Sequence, residues 1–165
     1  GPALFDAVQA SLPELRRFLA SLPWVAGEQS ATLSEVYCRN AEANFIARRD
    51  LPFLLWDRGS GAVVGAAGLH RIDWHTPKAE VGYWCRSAST GQGLVTEAVD
   101  ALCQLAFGPL AMVRVELVTD EANLASRRVA TRCGFALEGM LRSERRAPDG
   151  TLRNTCVFAR LAPGA

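Results

Sequence analysis

A glycine-containing loop between a predicted strand and a predicted helix has the residue types that favour chemistry most clearly. It reads Ser87-Ala88-Ser89-Thr90-Gly91-Gln92-Gly93, and helical periodicity begins near Leu94. The N–H groups of such a loop can converge, and the helix N-terminus adds partial positive charge. The loop therefore favours a phosphate or pyrophosphate, although two glycines at a helix start are equally typical of a plain tight turn. No Gly-Lys-Ser/Thr follows, and Thr96 replaces the third glycine of a dinucleotide fingerprint, so nucleotide hydrolysis is excluded.

A second polar pair, Asn123 and Ser126, opens a short predicted helix that ends at Gly134. Residues at i and i+3 lie on one face of a helix. Taken alone, Asn123 is an N-cap and Ser126 is an exposed helix residue.

The segment His70-Arg71-Ile72-Asp73-Trp74-His75 gathers two histidines and an aspartate in a predicted hairpin loop. A metal site would need a third ligand at standard spacing, and the sequence offers none. We therefore expect no metal. A solvated turn with an exposed tryptophan is the simplest interpretation of the segment taken alone.

Composition limits the classes of protein that need be considered. The 165 residues are 49% hydrophobic, which is enough for a core in one domain spanning residues 1–165. The net charge of +1 argues against a nucleic-acid partner. Among the 18 basic residues 17 are arginine, a bias that genome composition explains as well as function does. Five cysteines without a C-x-x-C pair, no long apolar run and no signal peptide predict a cytoplasmic protein with no membrane partner.

The elements that must position these residues follow the order α-α-β-β-β-α-β-α-β-β. The first helix covers residues 3–19 with a break at Pro13, and the second covers 32–48, where Thr32 and Glu35 form a capping box. Two later helices are predicted, at Gly93–Phe107 and Asn123–Cys133. Strands are predicted at Phe53–Asp57, Ala62–His70, Ala79–Arg86, Val113–Thr119, Phe135–Leu141 and Thr151–Leu161, the last two joined by a turn at Pro148-Asp149-Gly150. The order predicts an α+β (mixed α/β) domain with a mixed, mostly antiparallel sheet flanked by helices.

Four motifs together resemble the GNAT-superfamily N-acetyltransferases, most closely the RimJ/RimL-type branch that acetylates ribosomal proteins. In chain order they are Ala79-Glu80-Val81-Gly82-Tyr83-Trp84, Gly91-Gln92-Gly93-Leu94-Val95-Thr96-Glu97-Ala98, Asn123-Leu124-Ala125-Ser126 with Cys133-Gly134-Phe135, and Leu137-Glu138-Gly139. The resemblance runs from about Leu4 to Leu161. It departs at Ala88, where the family has a polar residue, and at Gly1, where a helix replaces the family's first strand. We therefore expect that this strand is missing.

The resemblance implies a twisted sheet in which the strand Val81–Arg86 splays from Val113–Thr119. The pantetheine arm of acetyl-CoA would pair in that gap with the backbone of Trp84, Cys85 and Arg86. The pyrophosphate would lie on the N–H groups of Gly91, Gln92, Gly93, Leu94 and Val95. Asn123 would contact the pantetheine arm, and the Ser126 hydroxyl would lie near the sulfur as a proton donor.

The general base stays open among three candidates, Glu80, Glu138 and Glu144. The branch often has a glutamate a few residues after the last motif, and Glu144 lies one position away from that place. A surface glutamate paired with a neighbouring arginine explains Glu144 equally well. Glu80 and Tyr83 should face opposite sides of their strand because their separation is odd. Residues expected to bind the acceptor come from the opening helices and the histidine-containing loop: Glu14, Trp24, His70, Asp73 and Trp74.

These features predict an acetyl-CoA-dependent N-acetyltransferase that acts by direct attack in a ternary complex. The acceptor is a protein N-terminus or a small-molecule amine, and the choice between an acetyl and a longer acyl donor stays open. Relatives often pair, so a homodimer is a candidate assembly. The alternative is a catalytically silent module that binds or senses acyl-CoA.

Overall fold

The computed structural model describes residues 1–20, 22–147 and 149–164. Its helices are α1 (Pro2–Gln9), α2 (Leu12–Leu19), α3 (Pro23–Ala26), α4 (Ala31–Ile46), α5 (Leu94–Phe107) and α6 (Leu124–Arg132). Its strands are β1 (Leu51–Trp56), β2 (Val63–Asp73), β3 (Lys78–Cys85), β4 (Arg114–Asp120), β5 (Ala136–Arg146) and β6 (Leu152–Leu161). In this part of the chain no helix is long and apolar enough to cross a membrane.

The six strands form one mixed sheet in the order β1-β2-β3-β4-β6-β5. Among the strands in the described residues, only β3 and β4 run parallel, and α5 makes the crossover between them. The other neighbouring pairs are antiparallel. The predicted mixed, mostly antiparallel sheet flanked by helices is confirmed.

The central parallel pair separates part-way along its length. Paired positions of β3 and β4 end at Glu80 and Glu116, although the strands continue to Cys85 and Asp120. We call the gap between residues 81–85 of β3 and 117–120 of β4 the notch. Its presence confirms the predicted splay, and it leaves backbone groups of both strands without a strand partner.

Helices cover the two faces of the sheet unequally. On one face, called the α5 face, α5 and α6 bury a core that includes Val81, Val99 and Leu117. On the other, the α1 face, a smaller cluster joins Val8 of α1 and residues of α2 and α3 to Trp84 of β3. Each fully buried Val or Leu contributes about 1.5–3 kcal/mol, so the larger core fixes the position of β3 against α5.

The N-terminal helices correct two expectations. The capping box at Thr32 and Glu35 is wrong: the Ser30 side chain caps α4 by accepting a hydrogen bond from Leu33 N at 3.1 Å. Ser30 has extended backbone, so the helix begins at Ala31. The short helix α3 was not predicted. The break in the first helix is confirmed, with Pro13 in the first turn of α2, where its missing N–H costs nothing.

The last hairpin is longer and less regular than its pattern indicates. β5 continues to Arg146 rather than ending at Leu141, with register shifts between Leu137 and Gly139 and between Leu141 and Arg145. Of the predicted turn Pro148-Asp149-Gly150, Pro148 lies outside the described residues, and Gly150 has the positive φ of +85° that a tight turn uses.

Candidate functional site

The loop before α5 presents a row of unpaired amide groups. Gly91 and Gly93 have φ of +77° and +82°, and Gly93 is the N-cap of α5 without a side-chain cap. In the part of the chain that the structure describes, the N–H groups of residues 91 to 96 donate to no other residue. A Cβ added at Gly91 or Gly93 would meet nothing within 4 Å. This open cradle fits a diphosphate, because its free donors and the dipole of α5 both favour an anion.

One edge of the notch is made by backbone groups of alternate β3 residues. The Arg86 N–H donates to Val64 O of β2 at 2.8 Å, whereas Pro77 O accepts from Val113 N, beside β4, at 2.7 Å. Backbone groups alternate along a strand. Those of Tyr83 and Cys85 therefore point into the notch, while those of Trp84 and Arg86 point toward β2. Trp84, Cys85 and Arg86 are the residues predicted to pair with the pantetheine arm. Of these, only Cys85 directs its backbone groups into the notch, and Tyr83 does so as well.

Ser126 of α6 and Asn123, which precedes this helix, are the predicted polar pair, and Ser126 lies on the α5 face of the notch. Asn123 Oδ1 accepts from Ser126 N at 3.1 Å, so Asn123 is the N-cap of α6. The Ser126 Oγ lies 2.8 Å from the Tyr83 hydroxyl oxygen. Ser126 O is a second acceptor within reach of the single phenol proton, at 3.4 Å. Sequence reasoning missed this partnership, since 43 residues separate the two side chains.

Burial of the Tyr83 phenol decides which proton can leave this pair. Desolvation raises the pKa of Tyr83 to about 12, and the hydrogen bond with Ser126 opposes that rise only in part. Tyr83 therefore stays neutral and can donate to Ser126 Oγ. A serine that accepts this bond can point its own proton away from Tyr83, toward a developing anion in the notch.

A comparison with known protein families shows which family the chain belongs to. The family model described as "Acetyltransferase (GNAT) domain" matches residues 2–136. The chain belongs to the GNAT acetyltransferase family. The predicted GNAT resemblance is thereby confirmed.

Similarities to individual proteins place this GNAT chain beside the RimJ/RimL branch. It is 38% identical over 89 residues, 54% of the chain and 47% of the relative, to the protein named "Putative ribosomal N-acetyltransferase YdaF" of Bacillus subtilis (strain 168). It superimposes on Mycobacterium smegmatis RimJ in complex with CoA-disulfide with a TM-score of 0.86 at 25% identity, covering 98% of this chain and 77% of that one. For RimL, a ribosomal alpha-N-protein acetyltransferase in complex with coenzyme A, the TM-score is 0.89 at 21% identity, covering 99% and 89%. The latter likeness shows the fold.

This GNAT chain spans about half the length of the first two curated relatives that it matches. The first two matches span 47% and 55% of those relatives' own lengths. The family is established by the match to the domain model, whereas activity, substrates and partners are proposals.

The three predicted base candidates of the GNAT site all have polar partners. Glu80 forms an ion pair with Arg71, and it lies on the α1 face, opposite Tyr83, as its strand parity predicts. Glu144 accepts from Thr155 Oγ1 at 2.6 Å and lies 3.2 Å from Arg145 Nε. The Thr155 hydrogen bond, with a smaller contribution from Arg145, lowers the pKa of Glu144. Nearby Glu138 is held by Arg114, which lowers the pKa of that carboxyl as well.

Two of the predicted acceptor residues lie beside the notch. The Trp24 ring lies 6.3 Å from that of Trp84, on the α1 face. Glu14 accepts from Ser87 Oγ at 3.0 Å, and the Ser87 N–H donates to the buried Ser11 Oγ at 3.0 Å. α2 and its N-cap residue Ser11 therefore hold Ser87, the first residue of the loop that precedes α5. A role for Trp24 and Glu14 in acceptor binding stays a prediction.

The structure does not bring the other three predicted acceptor residues to the notch. Asp73 and Trp74 precede β3 at its closed end, about 23 Å of strand from Cys85. Trp74 Nε1 donates to Arg48 O at 2.9 Å, and Asp73 accepts from the N–H groups of His75 and Thr76, which lower its pKa. The Nδ1 atom of His70 lies 3.4 Å from Oδ1 of Asp50. Across the described residues no group of three or more His, Cys, Asp or Glu is placed to hold a metal.

Proposed function

We propose that this chain, acting as one acyltransferase domain over residues 1–165, transfers the acetyl group of acetyl-CoA to a primary amine. One observation carries the proposal: the loop with the free N–H groups of residues 91–96 follows directly on β3, the strand that borders the notch beside Ser126. The diphosphate would be held by Gly91, Gln92, Gly93, Leu94 and Val95. The pantetheine arm would pair with the free backbone of Cys85 and Tyr83, with Asn123 and Ser126 alongside.

The reaction needs one nucleophile and one net proton transfer. The amine nitrogen forms a bond to the thioester carbonyl carbon, the carbon–sulfur bond breaks, and its electron pair leaves with sulfur. The hydroxyl of Ser126 gives its proton to that sulfur, because a thiol of ordinary pKa, about 8.5, is protonated at neutral pH. A free N–H at the notch edge stabilises the oxyanion. The amine loses one proton to solvent and Ser126 regains one from solvent, so the products are the N-acetylated amine and CoA thiol, and the enzyme returns to its starting state.

The amine proton can leave without a strongly basic side chain. An α-amino group has a pKa of about 7.7–8.0, so a useful fraction is already neutral near pH 7.5. The carboxylates predicted as bases, Glu80 and Glu144, are each bound by a partner in the fold. We therefore propose that the proton passes to solvent.

The acceptor is best matched by a peptide or protein N-terminus. The relatives that support this choice are named ribosomal N-acetyltransferases, or alpha-N-protein acetyltransferases. On the α1 face, Trp24 lies beside Trp84 of β3, and a cavity that includes Asp120 at the end of β4 is lined by arginines of α2, β5 and β6.

A thiol-release assay with acetyl-CoA and a panel of peptides and small amines tests the proposal. We expect CoA release that depends on the acceptor, a mass gain of one acetyl group on the peptide amine, and stabilisation of the protein by CoA. CoA stabilisation with no release for any acceptor would instead identify a silent acyl-CoA-binding module. Absence of both effects would overturn the proposal.

A further inference from the structure

A small cavity on the α1 face is lined by four arginines from three elements. Arg17 belongs to α2, Arg145 and Arg146 to the end of β5, and Arg153 to the start of β6. Asp120, the last residue of β4, is its one acidic lining residue. We call these residues, together with Phe18, the arginine pocket.

The charges of the arginine pocket do not balance within the described residues. Arg153 uses Nε and Nη2 to bind both oxygens of Asp120, at 2.9 and 3.0 Å, and Arg145 lies 3.2 Å from Glu144. Arg17 and Arg146 have no carboxylate within 4.0 Å in the parts of the chain that the structure covers; Arg146 donates instead to Gly150 O at 2.7 Å. Two positive charges are therefore left over at one cavity.

The side chain of Phe18 holds two of these guanidinium groups in position. The Cζ atoms of Arg17 and Arg153 lie 5.1 and 5.5 Å from its ring centroid. Stacking of this kind reduces the freedom that a long side chain must lose when it binds a ligand. Part of the pocket is therefore arranged before any anion arrives.

The arginine pocket lies at the open end of the notch. α2 packs Leu15 and Leu19 into the cluster that contains Trp84, on the β3 side, and it reaches Asp120 on the β4 side. Asp120 O accepts from Asn123 N at 2.9 Å, and Asn123 caps the helix that carries Ser126. The pocket and the candidate acid are thus joined by one tight turn.

Resting on the proposed function, we propose that the arginine pocket binds carboxylates of an acidic peptide acceptor, a few residues after the amine that is acetylated. Asp120 already forms with Arg153 the two-point contact that carboxylates make with arginine. A polyamine would be repelled by the surplus charge. The same charge lowers the pKa of a nearby amine and so favours its nucleophilic form.

The test compares peptides that differ only in charge. Two peptides share the N-terminal residue, and positions two to five carry Asp and Glu in one and Asn and Gln in the other. At low salt we expect the KM of the acidic peptide to be about tenfold lower than that of the neutral peptide, which is the size of effect that charged hydrogen bonds give. This difference in KM should shrink as ionic strength rises, because salt screens the charges. Arg17→Gln and Arg146→Gln should each raise the KM for the acidic peptide most of the way to that for the neutral peptide. Arg58→Gln, in the exposed β1–β2 turn, is the matched control.

Direct binding of the same peptides to the CoA complex, measured by calorimetry, separates the two proposals. Failure of all acetyl transfer, with acidic-peptide binding that needs Arg17 and Arg146, would overturn the proposed function and support the pocket. Equal transfer to both peptides would overturn the pocket alone. Inorganic phosphate is the third arm: phosphate that binds through Arg17 and displaces the acidic peptide at equal concentration would assign the pocket to a small anion instead.

Discussion

The Tyr83 hydroxyl oxygen lies 2.8 Å from Ser126 Oγ, joining β3 to α6 across the α5 face of the notch. Tyr83 is packed against the main core, so its hydroxyl has a fixed position. A partner fixed in this way limits the rotamers of Ser126 and determines where its proton points. The pair is therefore a unit: Ser126 is the candidate acid and Tyr83 its positioning residue.

Removal of the Ser126 hydroxyl should affect turnover rather than binding. A general acid contributes about 10²–10⁴-fold, so we expect Ser126→Ala to lower kcat by at least about tenfold with little change in the KM for acetyl-CoA. Steady-state kinetics by thiol release measures both constants. Ser60→Ala, in the exposed β1–β2 turn, should retain normal kcat. Unchanged turnover of Ser126→Ala would remove Ser126 from the mechanism.

Tyr83 should make the stability of the fold sensitive to alkaline pH. Its folded-state pKa of about 12 lies above the ordinary value of 10.0, so unfolding releases a proton once the pH exceeds 10. The corresponding stabilisation is complete below pH 10 and is lost between pH 10 and 12, on the order of 2 kcal/mol. Denaturant unfolding of the wild type and Tyr83→Phe at pH 9 and 11 measures it. We expect the stability difference between the two proteins to shrink at pH 11, and a constant difference would contradict the assigned burial.

The positive φ of Gly93 should matter for CoA binding as well as for folding. An alanine there adds a Cβ to a left-handed residue, costing about 1 kcal/mol, and places it in the cradle of free N–H groups. Gly61→Ala is the matched control, because Gly61 also has positive φ and open surroundings but lies in the β1–β2 turn. Both variants should lose similar thermal stability. Only Gly93→Ala should lose most of the rise in Tm that CoA produces.

The acid limb of the pH–rate profile should report the acceptor amine rather than a carboxylate. Hydrogen bonding by Thr155 lowers the pKa of Glu144, which makes that carboxylate a weak base, and Glu80 is held by Arg71. We expect kcat/KM for a peptide to rise through about pH 7.7–8.0 in the wild type, and at the same pH in Glu80→Gln and Glu144→Gln. A limb that disappears in one variant would identify that glutamate as the base.

The local features of this protein were predictable from sequence because each depends on neighbouring residues. The positive φ of Gly91 and Gly93, the Asn123 cap, the Gly134 stop and the alternation that separates Glu80 from Tyr83 all follow from short-range geometry. The order of elements predicted the parallel β3–β4 step with its crossover helix. The cap of α4 was misplaced because Ser30 and Thr32 both fit the pattern, and only the extended backbone at Ser30 distinguishes them.

Tertiary packing decided the features that join distant parts of the chain. Whether Tyr83 meets Ser126 depends on how α6 packs on the sheet, and whether Trp74 meets the notch depends on which end of β3 its loop occupies. The arginine bias looked like background because sequence spacing does not show that Arg17 of α2 lies near Arg146 of β5. Local geometry is encoded by adjacent residues, whereas these contacts depend on the burial of apolar surface by elements far apart in the chain.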